Sequence, residues 1–140
     1  METKGTFGAG PNSCCEGSLT PAQMELVLRS LPVQISVMDE QGTMVYWRGD
    51  AFADCDPRYI GAHINESHKV ESHKAIADLE SAFRDGSRDG DVQTSVDDGR
   101  VMLVCHAPLR DEDGAYRGMI ETMQDITDVA SLRAEKSAPG

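Results

Sequence analysis

Arg100–Thr127, reading RVMLVCHAPLRDEDGAYRGMIETMQDIT, decides how the chain folds. From Val101 to Pro108 apolar residues follow one another with no helical period, Asp111-Glu112-Asp113-Gly114 is a dense turn signal, and Tyr116 to Gln124 is a second β-prone run. The pattern predicts a hairpin of two long antiparallel strands. Val101, Leu103, Cys105, Ala107 and Leu109 fall on one side of the first strand, yet Met102 and Val104 on the other side are apolar too. Neither face reads as purely solvated, so the hairpin belongs at the centre of a sheet. Beyond Asp125-Ile126-Thr127 the segment 128–136 is helix-prone, and Thr127 or Asp128 can cap it.

Towards the N-terminus, an Asp97-Asp98-Gly99 turn joins the hairpin to a further strand, Val92 to Val96. Before a polar loop at 87–91, residues 67–85 carry the longest helical pattern, with Ile76, Leu79 and Phe83 on one face and Asp85-Gly86 as its stop. Its start is ambiguous. Glu66-Ser67-His68-Lys69 recurs as Glu71-Ser72-His73-Lys74, and Asn65, Ser67 and Ser72 can each act as N-cap. Residues 49–61, rich in Gly, Asp and Pro, read as a crossover with short helical pieces around Ala51-Phe52-Ala53 and Pro57-Arg58-Tyr59. Residues 34–48 form a second hairpin around Glu40-Gln41-Gly42. Thr20-Pro21 then opens a short amphipathic helix in which Met24, Val27, Leu28 and Leu31 recur at helical spacing and Pro32 ends the run. That stripe must dock on its own sheet or on a second subunit, so a homodimer through residues 20–31 is expected.

At 140 residues the chain is one domain. Residues 1–18 hold too few large apolar groups to offset the entropy of ordering and are expected to be a mobile arm, with the domain over 19–136 and a short tail at 137–140. Twenty-four acidic residues against thirteen basic ones give a formal charge of -11, which repels nucleic-acid phosphates and anionic membranes. No apolar run approaches the roughly 20 residues of a membrane span, and the N-terminus lacks the apolar centre of a secretory signal; a cytoplasmic protein is expected. The four cysteines, with Cys14-Cys15 in the leader, Cys55 in a loop and Cys105 in mid-strand, are read as reduced thiols, and no C-x-x-C zinc spacing occurs.

The element order, with these turns, resembles the PAS domain family. Val37-Met38-Asp39-Glu40-Gln41-Gly42 with Val45-Tyr46, Arg110-Asp111-Glu112-Asp113-Gly114, and Gly118 followed by Gln124-Asp125-Ile126-Thr127 carry the likeness over about residues 20–135. The resemblance implies an α+β fold: a five-stranded antiparallel sheet in the order 2-1-5-4-3, helices inserted between strands 2 and 3, and flanking helices at both ends. A narrower likeness is to PAS domains attached to hemerythrin-like modules in anaerobic bacteria. There Arg48-Gly49-Asp50 stands where those sequences have Ser-Gly-Asp, Phe83-Arg84-Asp85-Gly86 matches the end of the long helix, and only His68 survives of a Cys-His-Pro-Pro turn. The implied role is a stand-alone sensor or interaction domain that binds a small ligand or cofactor, dimerises, or docks an unidentified signalling partner. A ligand-free scaffold is the rival.

His68 is the first candidate for chemistry. If the helix already runs at Ser67, its step of about 100° sets His68, Ser72, Ile76, Leu79 and Phe83 in one stripe facing the sheet. The resemblance then implies a possible heme ligand, because heme-binding PAS domains often use a histidine from this helix; the alternative is an exposed or capping histidine. His106 either projects into a ligand cavity or hydrogen-bonds across the sheet, and Met102, Ile76 and Phe83 are candidate pocket lining. His63 is expected to be exposed. The histidine spacings do not form a metal site. No nucleophile elbow or phosphate-cradling loop occurs, so no catalytic residue is assigned, and an enzyme would need a pocket that brings His106 or His68 beside a carboxylate.

Overall fold

The computed structural model describes residues 16–49 and 57–137. Cys14, Cys15, Cys55, the Ala51-Phe52-Ala53 piece and Asp50 lie outside these residues. Helix α1 (Pro21–Ser30) precedes the hairpin β1 (Gln34–Met38) and β2 (Met44–Arg48). Two 3-10 turns follow, Pro57–Tyr59 and Ile64–Ser67, then α2 (Val70–Asp85), β3 (Asp91–Asp97), β4 (Arg100–Arg110), β5 (Tyr116–Asp125) and α3 (Thr127–Ser137). The strands form one antiparallel sheet in the order β2-β1-β5-β4-β3, as the resemblance implies. No helix among the described residues is long and apolar enough to cross a membrane.

Two short polar devices set the strand registers. In the β4–β5 turn Asp111 Oδ1 accepts from the backbone N–H of Asp113 (3.0 Å) and Ala115 (2.9 Å), while Oδ2 accepts from Arg117 Nε (2.8 Å). The backbone bond from Ala115 and the Arg117 guanidinium hold the Asp111 carboxyl below its usual range. Asp39 does the same in the β1–β2 turn, where Oδ1 accepts from Gln41 N (2.9 Å) and Thr43 N (3.0 Å). An aspartate at the first turn position thereby replaces backbone partners that the reversing chain has lost. Arg117 links the two turns by reaching Glu40 at 2.8 Å.

The core fills one end of the space between α2 and the sheet. Met38, Ile64, Leu79, Phe83, Tyr116 and Met119 form one buried cluster with Ile76 packed against it, and Phe83 is wholly buried. Removing a side chain of this size from water contributes on the order of 1.5–3 kcal/mol. The helix face chosen for Leu79 and Phe83 is the one their spacing predicts. The helix start differs from the expected 67. His63 caps the 3-10 turn in a reciprocal box with Glu66, and His68 and Lys69 are extended (ψ 153° and 149°), so α2 begins only at Val70 with Lys69 as a cap lacking a side-chain bond. None of Asn65, Ser67 or Ser72 caps it.

Helix α1 is the element that least matches its expected environment. Thr20 and Gln23 form its capping box and Pro21 sits at its first position, as read from the sequence, but none of its residues is buried. A guanidinium ties down its C-terminal end. The Arg48 guanidinium donates to the carbonyls of Leu31, Val33 (2.6 Å) and Arg29 (2.7 Å), closing the C-terminal end of α1 onto β2.

β5 passes very close to β1 at Gly118. A Cβ there would lie 2.2 Å from the Met38 carbonyl oxygen, and the φ of 137° is itself one that other residues avoid. Gly118→Ala is therefore expected to lower the unfolding free energy by roughly 2–4 kcal/mol, because a strand backbone cannot yield as a side chain would. Gly86→Ala is expected to cost only about 1 kcal/mol, since no atom lies within 4 Å of its Cβ and only the positive φ opposes it. Urea denaturation compares the two; equal losses would mean that the Met38 contact is not what demands glycine.

Candidate functional site

Between the N-terminal half of α2 and the helix-facing side of β3, β4 and β5 lies a cavity of about 460 Å³, a size usual for small-molecule sites. Ser72, Ala75, Ile76 and Leu79 line it from α2, Ile64 and His68 from the preceding turn, and Arg88 from the α2–β3 loop. The sheet supplies Asp91, Gln93 and Ser95 from β3, Val104 and His106 from β4, and Met119, Glu121 and Met123 from β5. Apolar side chains cover the helix side and part of the sheet; the polar groups concentrate on the sheet.

The polar groups are not scattered. Asp91 pairs with His106 across β3–β4, and His106 pairs with Glu121 across β4–β5, so the three share one row and one face. His106 Nε2 lies 2.8 Å from Glu121 Oε2. The carboxylate can only accept, so Nε2 carries the hydrogen. Nδ1 is buried without a hydrogen-bond partner, 3.6 Å from Asp91 Oδ2, while Asp91 Oδ1 accepts from the Arg88 guanidinium. The Glu121 side chain is 13% exposed. Burial pushes its pKa up, but the His106 hydrogen bond and the positive charge available on His106 and His68 outweigh this and leave the carboxyl below its ordinary range.

The structure brings together three of the five residues singled out in the sequence. His68, His106 and Ile76 all line the cavity; Phe83 lies in the adjoining core, and Met102, buried on the same strand face as Val104 and His106, is not in the cavity wall. For His106 the two sequence alternatives coincide, since it both faces the cavity and bonds across the sheet. His68 arrives by a different route from the one expected. It ends the 3-10 turn rather than riding on α2, is exposed, and its Nδ1 lies 3.0 Å from both the Ile64 carbonyl and Ser67 Oγ. His63 is exposed, as expected, and His73 closes the same turn by donating from Nε2 to the carbonyls of Asn65 (2.9 Å) and His68 (3.1 Å).

A bond from Nδ1–H to the Ile64 carbonyl would leave His68 Nε2 free, the arrangement a metal-bound histidine needs. The rest of the cavity does not fit a porphyrin. The wall across from α2 carries Asp91, Gln93, Ser95, His106 and Glu121, and the apolar face of a macrocycle offers the remaining carboxylate oxygens no donor in place of the water it would displace. The cavity does bring His106 beside the carboxylates of Glu121 and Asp91, the juxtaposition an enzyme would need, while neither Ser72 nor Ser95, the cavity hydroxyls, hydrogen-bonds to it among the described residues. Glu121 and Asp91 were not foreseen from the sequence. Their signal was a polar residue at Asp91, Gln93 and Ser95 in alternation, and an acid at Glu121 within an otherwise β-prone run.

A family described as PAS domain matches residues 24–127. No curated protein sequence matches the chain. Among solved structures, a C-terminal domain from Streptococcus mutans superimposes with a TM-score of 0.75 at 23% identity, covering 85% of this chain and 94% of that one. The PAS domain of Bordetella pertussis BvgS aligns with a TM-score of 0.58 at 21% identity, covering 80% and 90%. A sensory box sensor histidine kinase from Vibrio cholerae gives 0.54 at 13% identity, covering 74% and 88%. At these identities the likeness is one of fold.

The Glu121–His106 pair has a pH signature. A carboxyl whose folded pKa is depressed contributes stability above its unfolded pKa of about 4.3 and loses it as pH falls through the folded value. Wild type is therefore expected to lose stability below that pH more steeply than Glu121→Gln, by up to about 1.4 kcal/mol per pH unit for one proton. Denaturant melts between pH 2 and 7, the approximate span over which carboxylates and histidine titrate, give the two slopes; parallel curves would show that Glu121 is not held ionised by the fold.

Proposed function

The chain belongs to the PAS domain family, and from that premise we propose that it is a signal-sensing domain that holds a small ligand between α2 and the sheet and reports it through its flanking helices. The cavity is the observation that carries this reading. A scaffold used only for docking would gain stability by filling about 460 Å³ with side chains. Here a charged row sits inside that space instead, at a desolvation cost that a purely structural interior avoids. The cytoplasm, where the thiols stay reduced, is the compartment that suits it.

The output end of this reading is dimerisation through residues 20–31. Met24 (49% exposed), Val27 (45%) and Leu31 (38%) present the apolar stripe of α1 to solvent, and a second copy of the helix would cover it with the same kind of surface. A ligand that packs differently against α2 and β5 in two arrangements of the domain biases their populations, and the helices at either end carry the difference outward.

Two measurements test this. Mass spectrometry of protein purified without refolding is expected to find a small molecule that copurifies at near-stoichiometric amounts and is lost in Ser72→Trp, which fills the cavity from the half-buried helix side while the circular dichroism stays native; an empty wild type under gentle isolation would count against a ligand. Separately, sedimentation is expected to give a dimer that Met24→Glu with Val27→Glu weakens by roughly 100-fold, the effect of losing two central apolar contacts. A monomer at high micromolar concentration in wild type would remove the dimer.

A further inference from the structure

The row of charges specifies what kind of ligand the cavity accepts. Asp91 Oδ1 is already occupied by Arg88, and Glu121 Oε2 by His106 Nε2–H. Asp91 Oδ2 and Glu121 Oε1 accept no hydrogen bond from the described residues. A third atom belongs to the same wall: His106 is only 8% exposed, and its buried Nδ1 has no hydrogen-bond partner. Two carboxylate oxygens without a donor on one wall call for a ligand that brings donors. A ligand carboxylate or phosphate would face Asp91 and Glu121 as like charges, and the Arg88 guanidinium in the lining is already engaged by Asp91 Oδ1. The formal charge of -11 on the whole chain adds a field that concentrates cations and dilutes anions at the cavity mouth. The remaining wall is apolar, with Ile76, Val104 and Met123 available to a carbon skeleton.

We propose that the cavity binds a small organic cation of the amidine, guanidine or amine class, its N–H groups on Glu121 Oε1 and Asp91 Oδ2 and its carbon body against Ile76, Val104 and Met123. This inference rests on the ligand-binding reading above. The polar row gives orientation and charge selection, and the apolar patch gives the surface whose burial drives binding.

Three probes of one shape separate the possibilities: benzamidine as the cation, benzamide as the neutral isostere and benzoate as the anion, titrated into the full chain by ligand-observed NMR. Benzamidine is expected to bind about tenfold or more tightly than benzoate, with benzamide between them, and Glu121→Gln and Asp91→Asn are each expected to lose about tenfold of the benzamidine affinity. Melting midpoints accompany the titrations. If Glu121→Gln fails to fold once His106 loses its anionic partner, Asp91→Asn, at a 24% exposed side chain, still reads the effect. Benzoate binding as well as benzamidine, or both folded variants binding benzamidine like wild type, overturns the cation assignment and leaves a ligand cavity of another class. Failure of all three probes, together with no copurifying molecule, overturns the ligand-binding reading itself.

Discussion

Everything in the cavity depends on the pairing register of β4 with β5. Side chains alternate across a sheet, so a slip of one residue would turn His106 and Glu121 to the far face and bring Cys105 and Ile120 or Thr122 into the cavity. The register is fixed at the turn, where Asp111 accepts two backbone N–H groups and a guanidinium nitrogen. A second constraint acts at the other edge of β5, where only a glycine at 118 lets the strand close on Met38. With the turn end of the ribbon fixed on both of its sides, the row Asp91, His106, Glu121 follows from the pairing.

The cost of that row is considerable. A carboxylate on a central strand facing the interior is tolerated only with partners, and Glu121 has one strong one, at 2.8 Å. Asp91 is balanced by Arg88 near the cavity rim, where water shares the load. The division along α2 is equally economical: Leu79 and Phe83 fill the core, while Ser72 and Ala75, smaller and one or two turns earlier, leave the space open. One amphipathic helix thus serves both as a lid on the core and as a wall of the site.

Much of this was legible in the sequence, and for identifiable reasons. The β4–β5 hairpin announced itself through an apolar run without helical period and a dense acidic turn, and the sheet order followed from the family likeness. Ile76 and His106 line the cavity, and both lie on the helix and strand faces that local periodicity marks out. The start of α2 was not legible, because the Ser-His-Lys repeat offers several caps of similar quality and the choice was made by His63 and Glu66, which close a 3-10 turn first. Glu121 escaped because an acid in a strand reads as solvated until the strand is known to be flanked on both sides, and Asp91 because it read as the end of the polar loop 87–91. Arg48 escaped too: it looked like part of a loop motif, and its three carbonyl partners lie 15 to 19 positions back along the chain.

Arg48 gives α1 an unusual mechanical status. The helix has no buried residue of its own, yet its last turn is riveted by a planar fork to the outermost strand of the sheet. Such a helix behaves as a handle, joined at its root to the strand and bound to follow it when that strand tilts. A lysine in that place would offer a single swivelling ammonium where three carbonyls now share one rigid plane, and the handle would turn loosely in its socket.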